Sequence, residues 1–573
     1  MRNSLSSKIA FIAAAALLCA APALAASPAP SVDDALARIA QYAPQALQEQ
    51  GAPGMIVAIT DRTHTLRIIP VGYADAGSKT PVTEATRFGI GSLSKSMTAS
   101  ALLELRDEGR FDPQRPVTAY LPWFSVHTRW RSITSHDLFT HTSGLPDGGL
   151  STGLSAVYSL RDWMTGYAPG THWSYSNVGY DTLGAILEKL DGADYPQIVQ
   201  RRVFAPLGMN DTTAQWDPRD LENAAQGYLY RADDIAVPQD PLLAPAPATH
   251  YVDPAGSVLS TGADMTAYMR YLLNGGKGPN GALLSPQSYA LLSSPGVTDG
   301  HELGSQSHGM FHRYGYGLAI MSVGGDKVLA HTGGVISYTA CMMVDVTRGV
   351  GVIALSNLGY VGPRPCAIVS YAVQTLQAQA KGKALPPVPA PEDAARVTHA
   401  PDYAGTYTSS GGRTLRVSAS GDRLTLQDGA SIYALYPRGN DSFWSADPQL
   451  RTFGLQFGRD ERAHIVEASS GPQWFTNERY NGPRTFTYPA SWSALVGKYE
   501  SIDANGYYSP MHVYELKGKL YADGTALVPM KGNLFHLGQE SWEPSWVRFD
   551  ELVGGKTQIA RMPGSTLYRM QPY

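Results

Sequence analysis

Apolar residues recur at helical spacing in several stretches of the first two thirds of the chain. The spacing predicts four helices, over residues 35–48, 92–109, 180–190 and 366–379, the first of them kinked or broken at Pro44. Short apolar runs predict strands over residues 54–59, 328–330, 339–344 and 351–356. Strands at both ends with helices between them indicate one sheet of an α/β domain, assembled from both ends of this region.

The pattern changes after a proline-rich stretch over residues 385–391, which predicts a stiff linker. Beyond it, short alternating runs separated by turn dipeptides are typical of antiparallel β-barrels or sandwiches. The sequence Tyr403-Ala-Gly-Thr-Tyr407 is echoed by Leu495-Val-Gly-Lys-Tyr499, and a repeat this long indicates a duplicated domain. We therefore expect a linker over 381–399 and two small closed barrels over 400–488 and 489–573.

The N-terminal residues differ from the rest of the chain. Arg2 and Lys8 precede an apolar run over 9–21, and Ala23-Leu24-Ala25 is a small-x-small cleavage site. This pattern predicts a secretory signal peptide over residues 1–25, because the run is shorter than the roughly 20 residues of a spanning helix. We expect the mature protein to be periplasmic or secreted, with no membrane span.

Composition and charge limit the class of protein. The chain has 573 residues, too many for one ordinary core, and 45 Lys and Arg against 49 Asp and Glu without a basic block. A nucleic-acid partner is therefore not expected. Cys341 and Cys366 remain after cleavage; a pair can bridge in an oxidising compartment, but each lies in an apolar segment, which favours two free buried thiols.

The central chemical signal is Gly91-Ser92-Leu93-Ser94-Lys95 at the start of a predicted helix. Residues three apart on a helix share a face, so the Lys95 amine can reach the Ser92 hydroxyl. A serine hydroxyl is a poor nucleophile until a base removes its proton, and a desolvated neutral lysine can be that base. A capping serine beside a surface lysine gives the same pattern, although no other lysine here has a serine three positions before it.

Two further motifs carry candidate chemistry. In Tyr175-Ser176-Asn177, the phenol can relay protons and the amide can fix Lys95 and a substrate; a loop tyrosine and a capping asparagine are the ordinary alternative. His331-Thr332-Gly333-Gly334 lies on a predicted edge strand, where glycines often mark close backbone approach to a ligand. The N–H groups of Ser92 and Gly334 would then form an oxyanion hole, whose donors are worth about 3 kcal/mol each. A structural histidine before a bulge is the ordinary alternative.

In this order the three motifs resemble those of penicillin-binding proteins and class C β-lactamases, namely Ser-x-x-Lys, Tyr-x-Asn and Lys- or His-Thr-Gly. The resemblance extends through residues 138–145, 206–209 and 256–264 and covers about 31–380. It implies a β-lactamase/transpeptidase-like α/β domain over 26–380, in which an antiparallel sheet lies beside an all-helical subdomain and the site lies between them. It also implies that His141 supports the site and is not part of a Ser-His-Asp triad.

The tail resembles the lipocalin-like barrels appended to some members of that family, notably D-aminopeptidases. In such enzymes a loop from a barrel can help to close the active site. The loop Trp542-Glu-Pro-Ser-Trp546 is the candidate here.

The resemblance implies an acyl-enzyme on Ser92, with general acid and base roles shared by Lys95 and Tyr175. Asn177, His331 and Gly333 would bind the substrate. In much of the family a lysine precedes Thr-Gly and helps to bind a carboxylate. With its ordinary pKa, His331 is largely neutral at pH 7, so carboxylate binding should be weaker, which favours an esterase or aminopeptidase over a β-lactamase. With the resemblance to D-aminopeptidases, this points to peptides, amides or esters, including those with D-residues.

Other functions stay open. They are a D-Ala-D-Ala carboxypeptidase, since some family carboxypeptidases share His-Thr-Gly, a class C-like β-lactamase, and a non-catalytic protein that binds penicillin or peptidoglycan. No cofactor or metal is expected. His301, His308 and His312 have partial metal-ligand spacing, but Ser305 and Gly309 argue against a site.

Overall fold

The computed structural model describes residues 29–570, apart from 149–152, 231–242, 248–249, 298–301, 304–312, 360–364, 392, 451, 503–507 and 539. The described residues contain ten α-helices: α1 (Val32–Gln50), α2 (Ser94–Asp107), α3 (Ser135–Phe139), α4 (Gly153–Ser159), α5 (Asn177–Asp191), α6 (Tyr195–Val199), α7 (Ala205–Leu207), α8 (Gly262–Leu273), α9 (Pro286–Ser293) and α10 (Cys366–Ala380). The signal peptide predicted over 1–25 lies outside the described residues, as do His301, His308 and His312.

The first domain is built on one antiparallel sheet of seven strands. They are β1 (Gly54–Asp61), β2 (Thr65–Asp75), β3 (Thr80–Pro81), β4 (Ala319–Val323), β5 (Asp326–Val335), β6 (Tyr338–Asp345) and β7 (Val350–Ser356), in the order β4-β5-β6-β7-β1-β2-β3. Because β1 pairs with β7, from Met55 opposite Ser356 to Asp61 opposite Val350, the sheet joins both ends of the domain. The prediction of an α/β domain assembled in this way is confirmed.

Alternate residues of β1 serve two cores, as the two-residue period of a strand requires. Met55, Val57 and Ile59 pack on one face of the sheet with α1 and α10. Ile56 and Ala58 pack on the other face, in the core that contains α2, α5 and α8. The candidate residues Ser92, Lys95 and Tyr175 lie on this second, helical side.

Shorter elements complete the first domain. Four pairs of short strands are Phe88–Gly89 with Leu259–Ser260, His172–Trp173 with Glu302–Leu303, Tyr228–Tyr230 with Leu243–Pro245, and Lys277–Gly278 with Gly281–Ala282. Short 3₁₀ turns occupy Gly91–Leu93, Val117–Ala119 and Leu160–Asp162, and a π-helical turn occupies Gln200–Phe204.

Three of the predicted helices differ from those of the structure. Helix α1 continues through Pro44, because its opposite face is buried against the sheet and Pro44 itself is exposed. Helix α5 begins at Asn177 and not at residue 180, since the Ser176 side chain caps it by accepting a hydrogen bond from the Gly179 N–H at 3.2 Å. The predicted helix over 92–109 divides into the 3₁₀ turn Gly91–Leu93 and α2.

Cys341 and Cys366 form a disulfide, so the expectation of two free thiols is wrong. Cys341 lies on β6 and Cys366 is the first residue of α10. Because α10 packs across that face of the sheet, the two Cα atoms are 5.2 Å apart, within the range that a disulfide spans. The bridge ties the start of the last helix to the middle of the sheet.

The proline-rich linker packs against the first domain. The carbonyl oxygen of Pro386 accepts a hydrogen bond from Arg38 at 3.1 Å, and that of Pro389 accepts one from Gln45 at 3.1 Å. Leu385 and Val388 contact the apolar cluster of α1 and α10. The linker is therefore held on α1.

Two closed barrels of eight antiparallel strands follow, as predicted. The first consists of β8 (Gly405–Ser409), β9 (Thr414–Ser420), β10 (Arg423–Asp428), β11 (Ser431–Gly439), β12 (Ser442–Ser445), β13 (Leu455–Arg459), β14 (Ile465–Ser470) and β15 (Gln473–Thr476). The second consists of β16 (Gly497–Ile502), β17 (Tyr508–Leu516), β18 (Lys519–Ala522), β19 (Thr525–Pro529), β20 (Leu534–Leu537), β21 (Trp546–Val553), β22 (Lys556–Met562) and β23 (Ser565–Arg569). Short 3₁₀ helices, Ala400–Tyr403 and Ala490–Ala494, precede the two barrels.

The repeat noted in the sequence has a structural counterpart. In the first barrel the buried Tyr407 hydroxyl donates a hydrogen bond to the Tyr403 carbonyl oxygen at 2.8 Å. In the second, the buried Tyr499 hydroxyl donates to the Leu495 carbonyl oxygen at 2.7 Å. Equivalent tyrosines, Tyr407 and Tyr499, therefore make the same hydrogen bond to the residue four positions earlier at the start of each barrel.

None of the helices in the described ranges combines the length and apolarity needed to cross a bilayer.

Candidate active site

Ser92 and Lys95 meet at the junction between a short strand and α2. The chain leaves the strand Phe88–Gly89 and turns through Gly91–Leu93, where Gly91 has a positive φ of 54°. Ser92 is half-buried at this turn, and Lys95 is fully buried in the first turn of α2. Lys95 Nζ lies 3.0 Å from Ser92 Oγ, as the three-residue spacing predicted.

Three oxygen atoms surround the Lys95 amine. Besides Ser92 Oγ, Nζ lies 2.6 Å from Asn177 Oδ1 and 2.9 Å from the Ala255 carbonyl oxygen. Burial lowers the pKa of Lys95 to about 8, against the opposing charges of carboxylates, of which Asp253 contributes most. At pH 7 about one tenth of the amine is then neutral and able to accept a proton.

Tyr175 lies across Ser92 from the lysine. Its side chain hydrogen-bonds with that of Ser92, and the Lys95 amine lies 4.9 Å from the centre of its ring. Loss of contact with water raises the pKa of Tyr175 above its ordinary value, so the phenol is protonated at neutral pH. The structure therefore brings a hydroxyl nucleophile, an amine and a phenol to one point.

His141 supports Tyr175 from behind. The two rings lie 4.3 Å apart, and His141 Nδ1 accepts a hydrogen bond from the Ser176 N–H at 3.1 Å. His141 adopts a positive φ of 58°, and burial lowers its pKa well below the usual value, so the ring is neutral. The other ring nitrogen has no hydrogen-bond partner among the described residues. These contacts hold the Tyr175 loop.

His331 is buried beside the same cluster, with 1% of its surface exposed. Its Nε2 lies 2.9 Å from the Tyr314 hydroxyl, and its Nδ1 donates to the Thr332 carbonyl oxygen. Burial lowers the pKa of His331 to about 3. Direct contact between His331 and a substrate stays a prediction, because both ring nitrogens face groups of the protein here.

The sequence had indicated that His331 lies on an edge strand. This is wrong, because its strand β5 lies between β4 and β6. However, β4 pairs only with its first half, up to Ala330. In the part of the chain that the structure describes, no strand covers the outer side of β5 from His331 to Val335.

Gly333 and Gly334 on this stretch lie against the turn that carries Ser92. A Cβ atom on Gly333 would stand 1.9 Å from the Ile90 carbonyl oxygen, and one on Gly91 would stand 2.6 Å from the Gly334 nitrogen. Only glycines at 91 and 333 permit this approach, which brings the backbone of Gly334 next to the turn of Ser92. Two backbone N–H groups at this junction can stabilise a developing oxyanion.

Several residues of the site were missed from the sequence. Asp147 Oδ1 accepts hydrogen bonds from the N–H and the side-chain amide of Asn177, at 3.1 and 2.9 Å. Ala255 contributes its carbonyl oxygen, and Tyr314 contacts His331. Asp147 ends the run Gly144-Leu145-Pro146-Asp147, and its position two residues beyond a stretch with family resemblance is its one signal in the sequence. A backbone carbonyl has no sequence signal.

The loop over 542–546 of the second barrel packs on the segment that leads to Tyr175. The Trp542 ring lies 4.4 Å from that of His172 and 5.6 Å from that of Tyr167. A Cβ atom on Gly166 would stand 2.4 Å from the Trp542 carbonyl oxygen, so the two backbones are in contact. Trp542 therefore contacts the segment that precedes Tyr175, and the nearest contact, His172, lies three residues before it. A role of this loop in closing the site stays a prediction.

Among the described residues, no three or more His, Cys, Asp or Glu side chains are arranged to hold a metal ion.

A family model described as Beta-lactamase matches residues 39–375, more than half of the chain. Protein Rv1367c of Mycobacterium tuberculosis is 28% identical over 277 residues, which cover 43% of this chain and 68% of that protein. A penicillin-binding protein of Bacillus subtilis is 25% identical over 396 residues, which cover 65% and 83% of the two chains. A Beta-lactamase of Escherichia coli is 32% identical over 187 residues, which cover 32% and 49%.

Among solved structures, the octameric penicillin-binding protein homologue from Pyrococcus abyssi superposes with a TM-score of 0.55. The match covers 77% of this chain and 99% of that chain at 21% identity. At this identity the similarity supports the fold.

Proposed function

This chain belongs to the beta-lactamase family of serine hydrolases and penicillin-binding proteins, and we propose that it is an active hydrolase that forms an acyl-enzyme on Ser92. The observation that carries the proposal is the approach of Lys95 Nζ to 3.0 Å from Ser92 Oγ, with the Tyr175 side chain on the same hydroxyl. A capping serine beside a surface lysine would leave the lysine exposed, whereas Lys95 is fully buried.

The pKa values of Lys95 and Tyr175 support Lys95 as the base for acylation. With a pKa of about 8, its neutral fraction is appreciable at neutral pH, whereas the raised pKa of Tyr175 leaves almost no phenolate. The Ser92 oxygen then bonds to the acyl carbon as its proton passes to Lys95. The Tyr175 hydroxyl donates a proton to the leaving group and regains one from the Lys95 ammonium, so both groups return to their starting states. Water then adds to the acyl carbon and releases the acid, and the Ser92 oxygen regains its proton.

The backbone supplies the remaining roles in this proposal. The N–H groups of Ser92 and Gly334 would hold the oxyanion, which the contact between the turn at Gly91 and Gly334 supports. Asn177, held by Asp147, would orient both Lys95 and the substrate. Gly333 would let the substrate backbone approach β5.

For the substrate we propose peptides, amides or esters, including compounds with D-amino acids. The buried, neutral His331 places no permanent positive charge beside the site. A D-Ala-D-Ala carboxypeptidase or a class C-like β-lactamase is the second candidate, because relatives include a penicillin-binding protein and a Beta-lactamase. We also propose that the protein is exported, on the strength of the sequence over 1–25.

Active-site labelling tests the proposal. We expect a fluorophosphonate or a fluorescent penicillin to label the wild type and Ser493→Ala, which changes an exposed serine of the second barrel region. Ser92→Ala should lose the label. Labelling that survives in Ser92→Ala would refute the acyl-enzyme on Ser92.

A substrate screen separates the remaining candidates. Short-chain p-nitrophenyl esters, D- and L-aminoacyl p-nitroanilides and nitrocefin should each be compared between the wild type and Ser92→Ala. Turnover of esters or anilides above nitrocefin would support the first choice. The opposite order would favour the β-lactamase, and a complete absence of label and turnover would favour a binding protein.

A further inference from the structure

Two carboxyl side chains lie buried below Lys95 and have no role in the chemistry proposed above. Asp253 is 5% exposed and precedes the Pro254-Ala255 segment, whereas Asp181 is 2% exposed on α5. The two side chains hydrogen-bond to each other. A pair of carboxyl groups in contact away from water shares one proton, because two adjacent negative charges cannot both be stabilised there.

The hydrogen bonds identify which member carries the charge. Asp253 Oδ2 accepts from the Tyr251 hydroxyl at 2.7 Å, and Oδ1 accepts from the Ala255 N–H at 2.6 Å. Asp181 Oδ1 has no hydrogen-bond partner in the described part of the chain, and the Gly153 N–H donates to this carboxyl group with a smaller effect on its pKa than burial and Asp253 have. Burial and the neighbouring Asp253 raise the pKa of Asp181 well above its usual value. Asp181 is therefore the neutral acid, and Asp253 is the carboxylate.

Asp253 is linked to the reacting groups through one residue. Its carboxylate holds the N–H of Ala255, and the carbonyl oxygen of Ala255 lies 2.9 Å from Lys95 Nζ. The loop between them is fixed on both sides. The Thr98 hydroxyl of α2 donates to the Pro254 carbonyl oxygen at 2.7 Å, and a Cβ atom on Gly184 of α5 would stand 2.1 Å from the Pro254 ring.

We propose that the Asp253 carboxylate, with Asp181 as its neutral partner, is a positioning residue for Lys95 that anchors the Ala255 carbonyl and supplies the counter-charge for the Lys95 ammonium. The inference rests on the proposed role of Lys95 in acylating Ser92. It assigns to the pair a specific consequence, namely that its single negative charge sets the pH at which Lys95 becomes neutral.

Other ionisable groups also face Lys95 from the elements packed around it. They are Asp147 behind Asn177, Tyr175 and Tyr180 on the α5 side, and the neutral His141 and His331, whose low pKa values are partly due to Lys95. Near pH 8 the two histidines stay neutral and the two tyrosines stay protonated, so none of these four groups imitates loss of the pair's charge. Among the charges that oppose the desolvation of Lys95, that of Asp253 is the largest.

The test is the pH dependence of Ser92 labelling by a fluorophosphonate, measured as a rate on the full-length protein. Asp181→Asn imitates the neutral acid and keeps the charge on Asp253, so it is the matched control. Asp253→Asn retains an oxygen that can accept from Ala255 but leaves Asp181 able to ionise. The double variant Asp181→Asn, Asp253→Asn removes the charge with little change of shape.

We expect the acid limb of the double variant to move to lower pH by about 1 unit, because loss of a nearby negative charge favours the neutral amine. The limb of Asp181→Asn should stay at the wild-type pH, and that of Asp253→Asn should lie between the two. A double variant whose limb does not move, or an Asp181→Asn limb that moves equally far, overturns the proposal.

Two controls separate the sources of failure. The Tm of each variant is measured first, and if the double variant is unfolded at the assay temperature, the direction of the Asp253→Asn shift decides. A wild type that is not labelled at Ser92 refutes the proposed function and this inference with it. Labelling that depends on Ser92 but whose pH limb is unchanged in the variants refutes this inference alone.

Discussion

At the scale of single residues, burial of ionisable groups determines which protons can move near neutral pH. Among the side chains of Lys95, Tyr175, His141 and His331, that of Lys95 has a pKa close to neutrality, at about 8. The pKa values of the other three groups are shifted away from neutrality: that of Tyr175 is raised, and those of His141 and His331 are lowered. One titrating amine among groups of fixed protonation state is the arrangement that a general base requires.

This arrangement predicts the pH dependence of acylation. Because the neutral amine accepts the Ser92 proton, the labelling rate should rise about tenfold per pH unit below about pH 8 and level off above it. Lys95→Met should lower the rate by roughly a hundred- to ten-thousand-fold above pH 8 and should lose the rise with pH below it, because the titrating base is gone. Lys189→Met, an exposed lysine at the end of α5, is the matched control. A profile that is flat between pH 6 and 8 would contradict the role of Lys95.

The buried histidine predicts sensitivity to acid. An unfolded histidine has a pKa of about 6.5, whereas that of His331 is about 3 in the folded protein. Below pH 6.5 the unfolded chain therefore binds more protons, so stability is lost as pH falls from 6.5 towards 3. From pH 7 to 5 this residue should cost the free energy of unfolding about 2 kcal/mol.

His331→Gln tests this contribution. Its unfolding free energy, measured by urea at pH 7 and pH 5, should fall less between the two than that of the wild type. His64→Gln changes a histidine whose side chain is 66% exposed and serves as the control. An equal fall in wild type and His331→Gln would show that burial of His331 does not cause the acid sensitivity.

At the scale of elements, the site depends on how closely the Ser92 turn approaches β5. At Gly333 the Ile90 carbonyl oxygen occupies the space where a side chain would stand. At Gly334 the corresponding space is open. The two adjacent glycines thus have different reasons to be glycine, which no local sequence pattern reveals. Gly333 serves the packing of two backbones, and Gly334 lies exposed at the mouth of the site.

The difference predicts opposite outcomes for two neighbouring substitutions. Gly333→Ala should lower the Tm by several degrees and reduce Ser92 labelling, because its Cβ would push the turn away from β5. Gly334→Ala keeps the backbone N–H and should leave the Tm within about a degree of wild type. Thermal unfolding of both variants is the measurement, and a lower Tm for Gly334→Ala than for Gly333→Ala would contradict it.

At the scale of the whole molecule, the second barrel reaches back to the first domain. Trp546 and Leu534 of that barrel pack into the core that contains α2 and α5. Trp542 covers His172 and Tyr167, on the segment that leads to Tyr175. The second barrel thus packs on the segment that positions Tyr175, and we expect its removal to disturb the position of Tyr175.

This contact predicts an effect of a distant tryptophan on catalysis. Trp542→Ala should reduce the rate of Ser92 labelling several-fold, because the Tyr175 segment loses the rings packed against it. Trp444→Ala removes a tryptophan of the first barrel, where it packs on Tyr436, and should leave the rate unchanged. Equal rates for both variants would show that the second barrel does not support the site.

Much of this architecture was predictable from the sequence. The periods of apolar residues located α1, α2, α5 and α10, because each helix buries one face and the period of that face appears in the sequence. The duplication around Tyr403 and Leu495 predicted two barrels. The order of Ser-x-x-Lys, Tyr-x-Asn and His-Thr-Gly located Ser92, Lys95, Tyr175 and Asn177, which the fold brings together.

Tertiary structure alone decided the rest, because these features depend on contacts between distant segments. The sequence determined which side chains are chemically capable: a serine, a lysine three residues later, a tyrosine and an asparagine. It left a bridge between Cys341 and Cys366 open but favoured free thiols, since only the docking of α10 on β6 brings Cys366 within reach. It likewise concealed the carboxyl pair of Asp181 and Asp253, 72 positions apart in the sequence, which meet beneath Lys95 only after α5 and the Pro254 loop pack.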